Sequence, residues 1–439
     1  MRTHVLSGFM ELLPAEQLLF NRMKDTIRSV YERFGFVPLD TPVMELAEVL
    51  LAKAGGETEK QIYQFTKGDN ELALRFDLTV PLARYVSEHF GQLTFPYRRY
   101  HIGKVYRGER PQKGRFREFY QCDIDIIGDG ELSLIHDAEI PAVIYTTFTE
   151  LGFERFTIRI NNRQVLGGLF ESLGFADRSA DIMRAVDKLD KIGWENVREE
   201  LQTLGLAESA MDTIRSFLDI QGSPLRMCRA LRALGIENER FRAGVDALEE
   251  VVRGLTALGV PEKNYRLDVA IARGLDYYTG TVYETILDDH PGVGSVCSGG
   301  RYDNLAEFYT NRRLPGVGIS IGLTRLFYQL TEAGVFRPGA ATPTRILVLP
   351  MTDDRTAALA AASQLRAAGI PTEVYLEGAK FKKKMKYANS IGVPFVLILG
   401  EEEIRTERYS LKNMATGEQE SLALAEIIDR FQAGASVRA

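Results

Sequence analysis

The hydrophobic positions near the start of the chain follow a helical spacing and then an extended one. Apolar residues lie three or four positions apart over residues 15–34, which predicts an amphipathic helix that Gly35 ends. The apolar positions are Leu19, Phe20, Met23, Ile27, Val30 and Phe34. Residues 35–45 contain two prolines, so we expect an extended segment at a sheet edge or an interface.

Two pairs of strand-like segments come next. Residues 61–66 and 71–79 flank a Gly-Asp turn and predict a hairpin. Residues 97–107 and 116–127 predict a longer antiparallel pair that is joined by a polar loop.

The second strand of the longer pair has one polar and one apolar face. Because side chains alternate along a strand, Phe119, Gln121 and Asp125 share one face, and Cys122 and Ile124 share the other. A sheet face with an amide and a carboxylate opposite an apolar face predicts that the polar side binds a ligand.

The remaining chain divides by its periodicity. Residues 175–258 have helical spacing with almost no strand signal, which predicts an inserted helical domain within a body spanning residues 1–330. Strand patterns resume at residues 265–272 and 281–287, and a glycine-rich stretch, 293–330, ends in a helix.

The C-terminal part follows a proline-containing linker at residues 331–344. Within residues 345–439, strands alternate with helices, which is typical of a parallel βαβ sheet. A hairpin at Thr416 and a terminal helix over residues 424–431 complete this domain. The predicted class is α+β, with an antiparallel-sheet body, a helical insertion and a C-terminal α/β domain.

Composition narrows the class of protein further. The chain has 439 residues, 45% hydrophobic and 26% charged, which is an ordinary globular balance. Its three cysteines form no CxxC pair, so we expect no zinc or iron–sulfur site and assign no metal-binding residue. It has no apolar signal segment and no run of about 18 apolar residues, so we expect a cytoplasmic protein without membrane association.

Charge is unevenly distributed along the chain. The formal net charge is −6, yet residues 97–121 contain eight basic and two acidic side chains. A second basic cluster lies near the C-terminus and consists of Lys380, Lys382, Lys383, Lys384 and Lys386. Local positive fields attract anions even on an acidic protein.

Three arginines lie at the ends of predicted elements beside glycines. Arg107 ends a strand, Arg273 precedes a turn, and Arg325 begins a helix. Guanidinium groups bind phosphates with two parallel hydrogen bonds, so the set favours a polyphosphate ligand. The chain has neither a GxxxxGK[ST] phosphate loop nor a GxGxxG turn after a strand, and the His–Asp partners of a hydrolase triad are not evident.

Five segments together resemble one known family. They are LRFDLT at 74–79, YRGERPQKGRFREFYQ at 106–121, ARGLDYY at 272–278, SGGRYD at 298–303 and GISIGLTR at 318–325. In this order and spacing they resemble the histidyl-tRNA synthetase family of class II aminoacyl-tRNA synthetases, over essentially the whole chain. The resemblance implies activation of L-histidine with ATP and transfer of histidine to tRNA.

The resemblance also implies roles for individual residues around ATP. Arg107 would hold the α-phosphate, Arg273 would be a second cation beside it, and Phe119 would stack on adenine. Arg325 is expected near the γ-phosphate, and Thr324 stands where the wider class has a glutamate. The implied catalytic residues are Arg107, Gln121, Arg273 and Arg325, and the implied ATP-binding residues are Arg107, Glu109, Arg115, Phe119 and Arg325.

The histidine-binding residues follow from the same resemblance. Asp77, Thr79 and Gln121 would hold the α-ammonium, and Asp125 with Tyr278 would bind the imidazole. A carboxylate and a phenol complement the two ring nitrogens. The full implied set is Asp77, Thr79, Gln121, Asp125, Arg273, Tyr277, Tyr278 and Gly299. Aspartate stands at positions 77 and 125, where family members often have glutamate.

The family resemblance further implies partners. The acceptor end of tRNA would meet a loop containing Arg110, Gln112 and Lys113, and the helical insertion would contact the acceptor stem. The anticodon would meet the C-terminal domain through Lys380, Lys382, Lys383 and Lys384. A homodimer and Mg²⁺ bound with the pyrophosphate group of ATP are also expected.

Two other functions fit parts of the pattern. A catalytically silent relative that senses histidine as a regulatory subunit of ATP phosphoribosyltransferase would share the body of the fold. Such relatives lack the anticodon domain and usually lose the arginine turn, which this chain has at Arg273. An enzyme that aminoacylates something other than tRNA is the other alternative, and the two basic clusters argue against it.

Overall fold

The computed structural model describes residues 3–52, 59–110, 114–271, 277–303 and 306–435. The chain forms two compact units: the larger comprises Met1–Met10 and Met23–Val335, and the smaller comprises Glu11–Arg22 and Phe336–Ala439. Both combine helices with sheets, so the predicted α+β class is confirmed.

The helices up to residue 332 are α1 (Pro14–Arg33), α2 (Ala47–Leu51), α3 (Thr79–Glu88), α4 (His136–Glu150), α5 (Arg163–Ser172), α6 (Ser179–Val186), α7 (Leu189–Thr203), α8 (Glu208–Leu218), α9 (Pro224–Ala233), α10 (Glu239–Ala257) and α11 (Leu323–Glu332). The strands of this part are β1 (Val37–Pro38), β2 (Met44–Leu46), β3 (Gln64–Lys67), β4 (Asn70–Leu74), β5 (Tyr97–Tyr106), β6 (Glu118–Ile127), β7 (Phe156–Asn162), β8 (Tyr265–Leu267), β9 (Thr281–Leu287), β10 (Ser295–Tyr302) and β11 (Gly316–Gly322).

An eight-stranded sheet dominates the larger unit, in the order β1-β5-β6-β11-β10-β9-β7-β8. Its central pairs are antiparallel, and β1 and β8 at the two edges pair in parallel with their neighbours. A smaller sheet has the order β2-β4-β3. The predicted hairpin is β3 and β4, and the predicted longer pair is β5 and β6.

The two faces of the large sheet differ in polarity. On one face, Ile124 of β6, Ile319 of β11 and Tyr283 of β9 are buried. Helix α1 reaches this face through the Tyr31 hydroxyl, which donates to the Cys122 carbonyl at 3.0 Å. Apolar packing on this face leaves the opposite, polar face for a ligand.

The first helix ends close to where the sequence predicts, whereas the second strand of the hairpin ends earlier. Helix α1 has nearly the predicted bounds, and Gly35 follows with φ +76°, a conformation that suits glycine. The strand predicted to reach residue 79 ends at Leu74, because Thr79 begins α3. Here the Val80 amide donates to Asp77 Oδ1 at 3.1 Å and starts the helix.

Residues 175–258 are helical, as predicted, and form α6 to α10. They belong to the larger unit, where α10 packs against α4 and α5. Gly244 of α10 lies so close to α5 that a Cβ would be 2.7 Å from the Val165 amide nitrogen.

The smaller unit has its own sheet and core. Its elements are β12 (Ile346–Pro350), α12 (Thr356–Ala367), β13 (Thr372–Val374), α13 (Phe381–Ile391), β14 (Phe395–Leu399), α14 (Glu401–Thr406), β15 (Arg408–Asn413), β16 (Gln419–Ala423) and α15 (Leu424–Ala435). The strand order is β13-β12-β14-β15-β16, with the first three strands parallel and the last two antiparallel to their neighbours. The sequence pattern missed only the short helix α14 among these.

Candidate functional site

The polar face of the large sheet is organised in rows that cross the strands. Gln121, Asp123 and Asp125 alternate along β6 and point to this face. The adjacent strand β11 places Gly322, Ser320 and Gly318 directly opposite them. Small residues on β11 leave room above the sheet. A Cβ on Gly318 would lie 2.2 Å from Asp125 Oδ1, so only glycine fits beside this carboxylate.

A cavity of about 310 Å³ opens over one end of this face. It is lined by Arg107, Glu109, Gly114, Arg115, Phe116, Phe119, Gln121, Ser295, Val296, Cys297, Ser298, Ser320, Gly322 and Arg325. The structure therefore brings together all five residues expected to bind ATP, although they come from positions more than 200 residues apart.

Arg107 is fixed at the inner end of the cavity. Its Nε donates to the Phe76 carbonyl at 2.9 Å, and its Cζ lies 5.2 Å from the centroid of the Phe119 ring. The guanidinium thus contacts the aromatic ring on one side and the segment before Asp77 on the other.

Two further cations, Arg115 and Arg325, line the same cavity. Arg325 donates to the Val293 carbonyl, and burial together with nearby Arg115 lowers the pKa of its guanidinium. Arg115 Nη1 is 3.6 Å from Glu109 Oε2. Two mutually repelling cations with one carboxylate between them are suited to bind an anionic ligand.

Next to the cavity lies a group of buried acceptors. Asp77 Oδ2, Gln121 Oε1 and Asp123 Oδ1 are buried and have no hydrogen-bond partner within the described ranges. The Gln121 amide nitrogen donates to Ser320 Oγ at 2.7 Å, so the amide group is held while its oxygen has no partner in the described chain. Since buried polar atoms are nearly always paired, these acceptors suit a ligand with several N–H donors.

Asp125 is held by two protein groups. Arg99 Nη2 is 2.5 Å from its Oδ2, and the Tyr302 hydroxyl donates to its Oδ1 at 2.8 Å. Burial raises the pKa of Asp125 to about 6, against the opposing effect of Arg99. The pKa of neighbouring Asp123 is raised to about 7, again chiefly by burial. A carboxylate has about four acceptor positions, so Asp125 can accept a further hydrogen bond.

Two tyrosines close this side of the site. The rings of Tyr277 and Tyr278 meet edge to face with centroids 4.8 Å apart. Burial raises the pKa of both hydroxyls, and the negative charges of Asp77 and Asp125 raise it further. The Tyr277 hydroxyl also forms a hydrogen bond with Thr79. The predicted histidine-binding side chains at 77, 79, 121, 125, 277 and 278 therefore lie together.

Some predicted residues are positioned differently or lie outside the described part. Arg273, Gln112 and Lys113 fall outside the described residues. Gly299 faces the apolar side of the sheet, where a Cβ would lie 2.1 Å from the Gly318 carbonyl oxygen, so packing between strands explains this glycine. Thr324 is buried and accepts a hydrogen bond from the Tyr120 amide at 2.8 Å, which ties α11 to β6.

The basic residues expected to contact tRNA divide into two groups. Arg110, Lys380, Lys382 and Lys383 are exposed. Lys384 corrects the prediction: it is 7% exposed, its ammonium donates to the Pro350 carbonyl, and it lies 6.0 Å from the centre of the Tyr375 ring. An inward-pointing ammonium cannot contact a nucleic acid at the surface, so we withdraw Lys384 from the set.

Sequence reasoning missed several residues of the site. Ser298 and Ser320 line the cavity, and Arg99, Asp123 and Tyr302 surround Asp125. The alternation along β6 was the available signal for Asp123, because this residue lies between Gln121 and Asp125. The positions of Arg99 and Tyr302 depend on strand pairing, which the sequence pattern does not give.

Neither a metal-binding cluster nor a membrane-spanning helix is found in the described part of the chain. No group of three or more His, Cys, Asp or Glu side chains there is arranged to hold a metal ion. None of the helices described is both long and apolar enough to span a bilayer.

Comparison with known proteins agrees with this geometry. The family model described as histidyl-tRNA synthetase matches residues 8–326, and the model described as an anticodon binding domain matches residues 345–434. A histidine–tRNA ligase from Clostridium tetani is 60% identical over 97% of both chains. One from Xanthomonas campestris is 49% identical over 97% of this chain and 95% of its own. The crystal structure of histidyl-tRNA synthetase from Nostoc sp. PCC 7120 has a TM-score of 0.91 at 41% identity, covering 98% of this chain and 99% of its own.

The matches to the family model and to the curated relatives identify the chain as a class II aminoacyl-tRNA synthetase. Its antiparallel sheet and the two arginines that line the cavity, Arg107 and Arg325, agree with that class. The chain belongs to the histidyl-tRNA synthetase family, and it is a histidine–tRNA ligase. The match of residues 345–434 to the anticodon binding domain leaves the regulatory-subunit alternative with less support.

Proposed function

We propose that this chain forms histidyl-adenylate on the polar face of the large sheet and then transfers histidine to tRNA. ATP would occupy the 310 Å³ cavity, and histidine would occupy the adjoining group of buried acceptors. The observation that carries the proposal is the position of Arg107, which touches both the Phe119 ring and the segment that leads to Asp77.

Activation requires an in-line displacement at the α-phosphorus of ATP. A carboxylate oxygen of histidine attacks this phosphorus, and the bond to the bridging oxygen of pyrophosphate breaks. Arg107 and Arg273 would stabilise the charge that develops on the α-phosphate. Phe119 would stack on adenine, and Arg325 with Arg115 would hold the distal phosphates. Fixed cations need no rearrangement during the reaction, which favours this step.

Histidine would be bound through both of its ends. The α-ammonium would donate to Asp77 Oδ2 and Gln121 Oε1, both buried and without a partner in the described structure. Asp125 would accept from one imidazole nitrogen, and the Tyr278 hydroxyl would donate to the other. A site that satisfies both nitrogens rejects side chains that lack them, because its own polar groups would then be left unpaired.

Magnesium fits this site as a companion of ATP. Mg²⁺ usually binds substrate phosphates and only one or two carboxylates, and Glu109 is the carboxylate among the side chains that line the cavity. Glu109 would hold the ion, which would neutralise part of the phosphate charge.

Transfer would use the 3′-terminal adenosine hydroxyl of tRNA as nucleophile. No general base is evident among the matched residues, so we propose that a phosphate oxygen of the adenylate accepts the proton. Replacing Gln121 should then leave the transfer step intact; a selective loss of transfer would contradict this. Arg110, Gln112 and Lys113 would contact the acceptor end, and Lys380, Lys382 and Lys383 the anticodon.

We also propose a cytoplasmic homodimer. The edge strands β1 to β3 expose apolar side chains: Val37, Met44, Leu46 and Phe65 are each at least 40% exposed. Large apolar side chains exposed on sheet edges are suited to an interface with a second copy of the chain.

The deciding experiment is histidine-dependent ATP–pyrophosphate exchange without tRNA, on the wild type and on Arg273→Ala. Exchange that requires histidine and collapses in the variant would support the adenylate chemistry. Histidine binding without exchange would overturn the proposal in favour of a regulatory protein.

A further inference from the structure

Arg99 is a fully buried arginine beside the proposed histidine site. It lies on β5 directly opposite Asp125 of β6, and its side chain is 0% exposed. Its Nη2 is 2.5 Å from Asp125 Oδ2 and donates to the Leu78 carbonyl at 3.2 Å. One guanidinium therefore links the strand that carries Asp125 to the turn that carries Asp77 and Thr79.

The hydrogen bonds of Arg99 are incomplete. Its Nε and Nη1 are buried and have no partner in the parts of the chain that the structure describes. Burying a charged group with unmet donors is costly, and an apolar side chain would fill the same space without that cost. A role in the site explains why a charge is placed here.

Arg99 is also the shared counter-charge of the site. Asp77, Asp123 and Asp125 are all buried, and burial raises the pKa of each carboxyl. The positive charge of Arg99 lowers the pKa of all three carboxyls and so opposes the effect of burial. At Asp77, the charge of Arg107 lowers the pKa as well.

We propose that Arg99 is a positioning residue for histidine recognition. It would hold Asp125 against the Tyr302 hydroxyl so that the free acceptor positions of the carboxylate meet the imidazole N–H. It would also fix the turn at Leu78 that presents Asp77 and Thr79 to the α-ammonium. This inference rests on the proposed function and adds a determinant of amino-acid affinity that touches no part of ATP.

Lysine cannot replace Arg99 in this role. Both contacts of Arg99 come from Nη2, which the planar guanidinium holds in one place between Asp125 and Leu78. The ammonium of a lysine ends a flexible stem and is not fixed by such a plane. Arg99→Lys therefore keeps the positive charge and removes the planar group, so it separates geometry from charge.

The test measures pyrophosphate exchange with separate KM values for histidine and for ATP, together with the thermal midpoint Tm. Arg99→Lys should raise the KM for histidine about tenfold or more, the cost of roughly one charge-assisted hydrogen bond, with the KM for ATP nearly unchanged. The double variant Arg99→Met/Asp123→Asn removes one charge of each sign and keeps the side-chain volume. The single variants Arg99→Met and Asp123→Asn are measured beside it. The double variant should have a higher Tm than Arg99→Met, and its KM for histidine should stay about tenfold above that of Asp123→Asn.

Arg98→Met is the matched control. Arg98 lies on the opposite face of the same strand and forms a less buried pair with Glu139, at 2.6 and 2.9 Å. This variant should lower Tm without a selective effect on histidine.

The outcomes separate the two proposals. The inference is overturned if the double variant has the same KM for histidine as Asp123→Asn. It is also overturned if Arg99→Lys raises the KM values for histidine and ATP equally. In either case Arg99 is only a structural counter-charge. If the double variant does not fold, Arg99→Lys decides alone. A wild type without histidine-dependent exchange overturns the proposed function, and the inference with it.

Discussion

Several side chains of the site are buried but lack hydrogen-bond partners for some of their polar atoms in the described chain. The unpartnered oxygens of Asp77, Gln121 and Asp123 lie on one side of the sheet, and the cations Arg107 and Arg325 line the cavity next to them. In the proposed function, an amino acid and a nucleoside triphosphate would supply the complementary charges, an ammonium for the carboxylates and phosphates for the guanidiniums. The predictions at this scale concern one aromatic and one acidic side chain.

Phe119→Ala should raise the KM for ATP about tenfold in pyrophosphate exchange, since stacking on a base contributes about 1–3 kcal/mol. The KM for histidine should change much less. Tyr120→Ala, the neighbour on the opposite face of β6, is the control and should leave the KM for ATP near its wild-type value. Equal changes of both KM values in Phe119→Ala would contradict a stacking role.

Asp123→Asn should stabilise the protein at neutral pH. The pKa of this carboxyl is raised to about 7 in the folded chain from an ordinary value near 4. The folded state therefore binds more protons, and the free energy of unfolding falls as pH rises from about 4 to about 7. The variant loses this dependence, so its Tm advantage should be absent at pH 4 and reach several degrees at pH 7.5. A Tm below that of the wild type at pH 7.5 would refute the prediction.

Elements show what the sequence pattern could and could not reveal. Alternation and helical spacing give β5, β6 and α1 with small errors in their ends, and they give the helical character of residues 175–258, because each pattern is local. The pattern extends β4 too far, because the start of α3 depends on the Asp77 side chain. The motif positions give most of the site, whereas Arg99 and Tyr302 require the pairing of strands that are distant in sequence.

Gly318→Ala tests the close packing of β11 on β6. A Cβ at this position would lie 2.2 Å from Asp125 Oδ1 and 2.3 Å from the Ile124 carbonyl oxygen. The second contact is with the backbone, so no rotamer change relieves it. Overpacking of this kind costs about 1–3 kcal/mol or more, so Tm should fall by several degrees and histidine-dependent exchange should be lost. Gly292→Ala is the control, because a Cβ there would meet no described atom within 4 Å. Unchanged Tm and exchange in Gly318→Ala would show that the strands separate more easily than the structure indicates.

At the scale of the whole molecule, the chain consists of two compact units. The larger unit contains the cavity and the buried acceptors, and the smaller unit matches an anticodon binding domain. Adenylate formation should therefore depend on the first unit and tRNA recognition on both. Sequence periodicity indicates where the C-terminal sheet begins, because the strand–helix alternation starts abruptly at Ile346. It gives no sign that Glu11–Arg22 belongs to the smaller unit, because this segment continues the helical pattern of α1.

Replacing Lys380, Lys382 and Lys383 together by alanine should reduce kcat/KM for tRNA charging about tenfold or more. The salt dependence of charging should become shallower, because fewer phosphate contacts release fewer counterions. Pyrophosphate exchange should be unchanged. Arg405→Ala, an exposed cation on α14, should leave charging intact. A triple variant that charges tRNA normally at moderate salt would remove this cluster from the tRNA interface.

Met44→Glu should weaken the proposed homodimer. Met44 is 53% exposed on β2, and a carboxylate there would have to be desolvated on association. Analytical ultracentrifugation should find the wild type as a dimer and the variant shifted toward monomer. Leu359→Glu is the control, since Leu359 on α12 of the smaller unit is similarly exposed at 46%. A monomeric wild type would contradict the assignment.

The inward-pointing Lys384 has a consequence for its exposed neighbours. Its bond to the Pro350 carbonyl anchors the first turn of α13 to the end of β12. Lys380, Lys382 and Lys383 are therefore held on a fixed backbone, and their conformational entropy is partly lost during folding instead of during association. A preorganised set of cations binds a rigid polyanion with a smaller entropic penalty than the same lysines on a loop would.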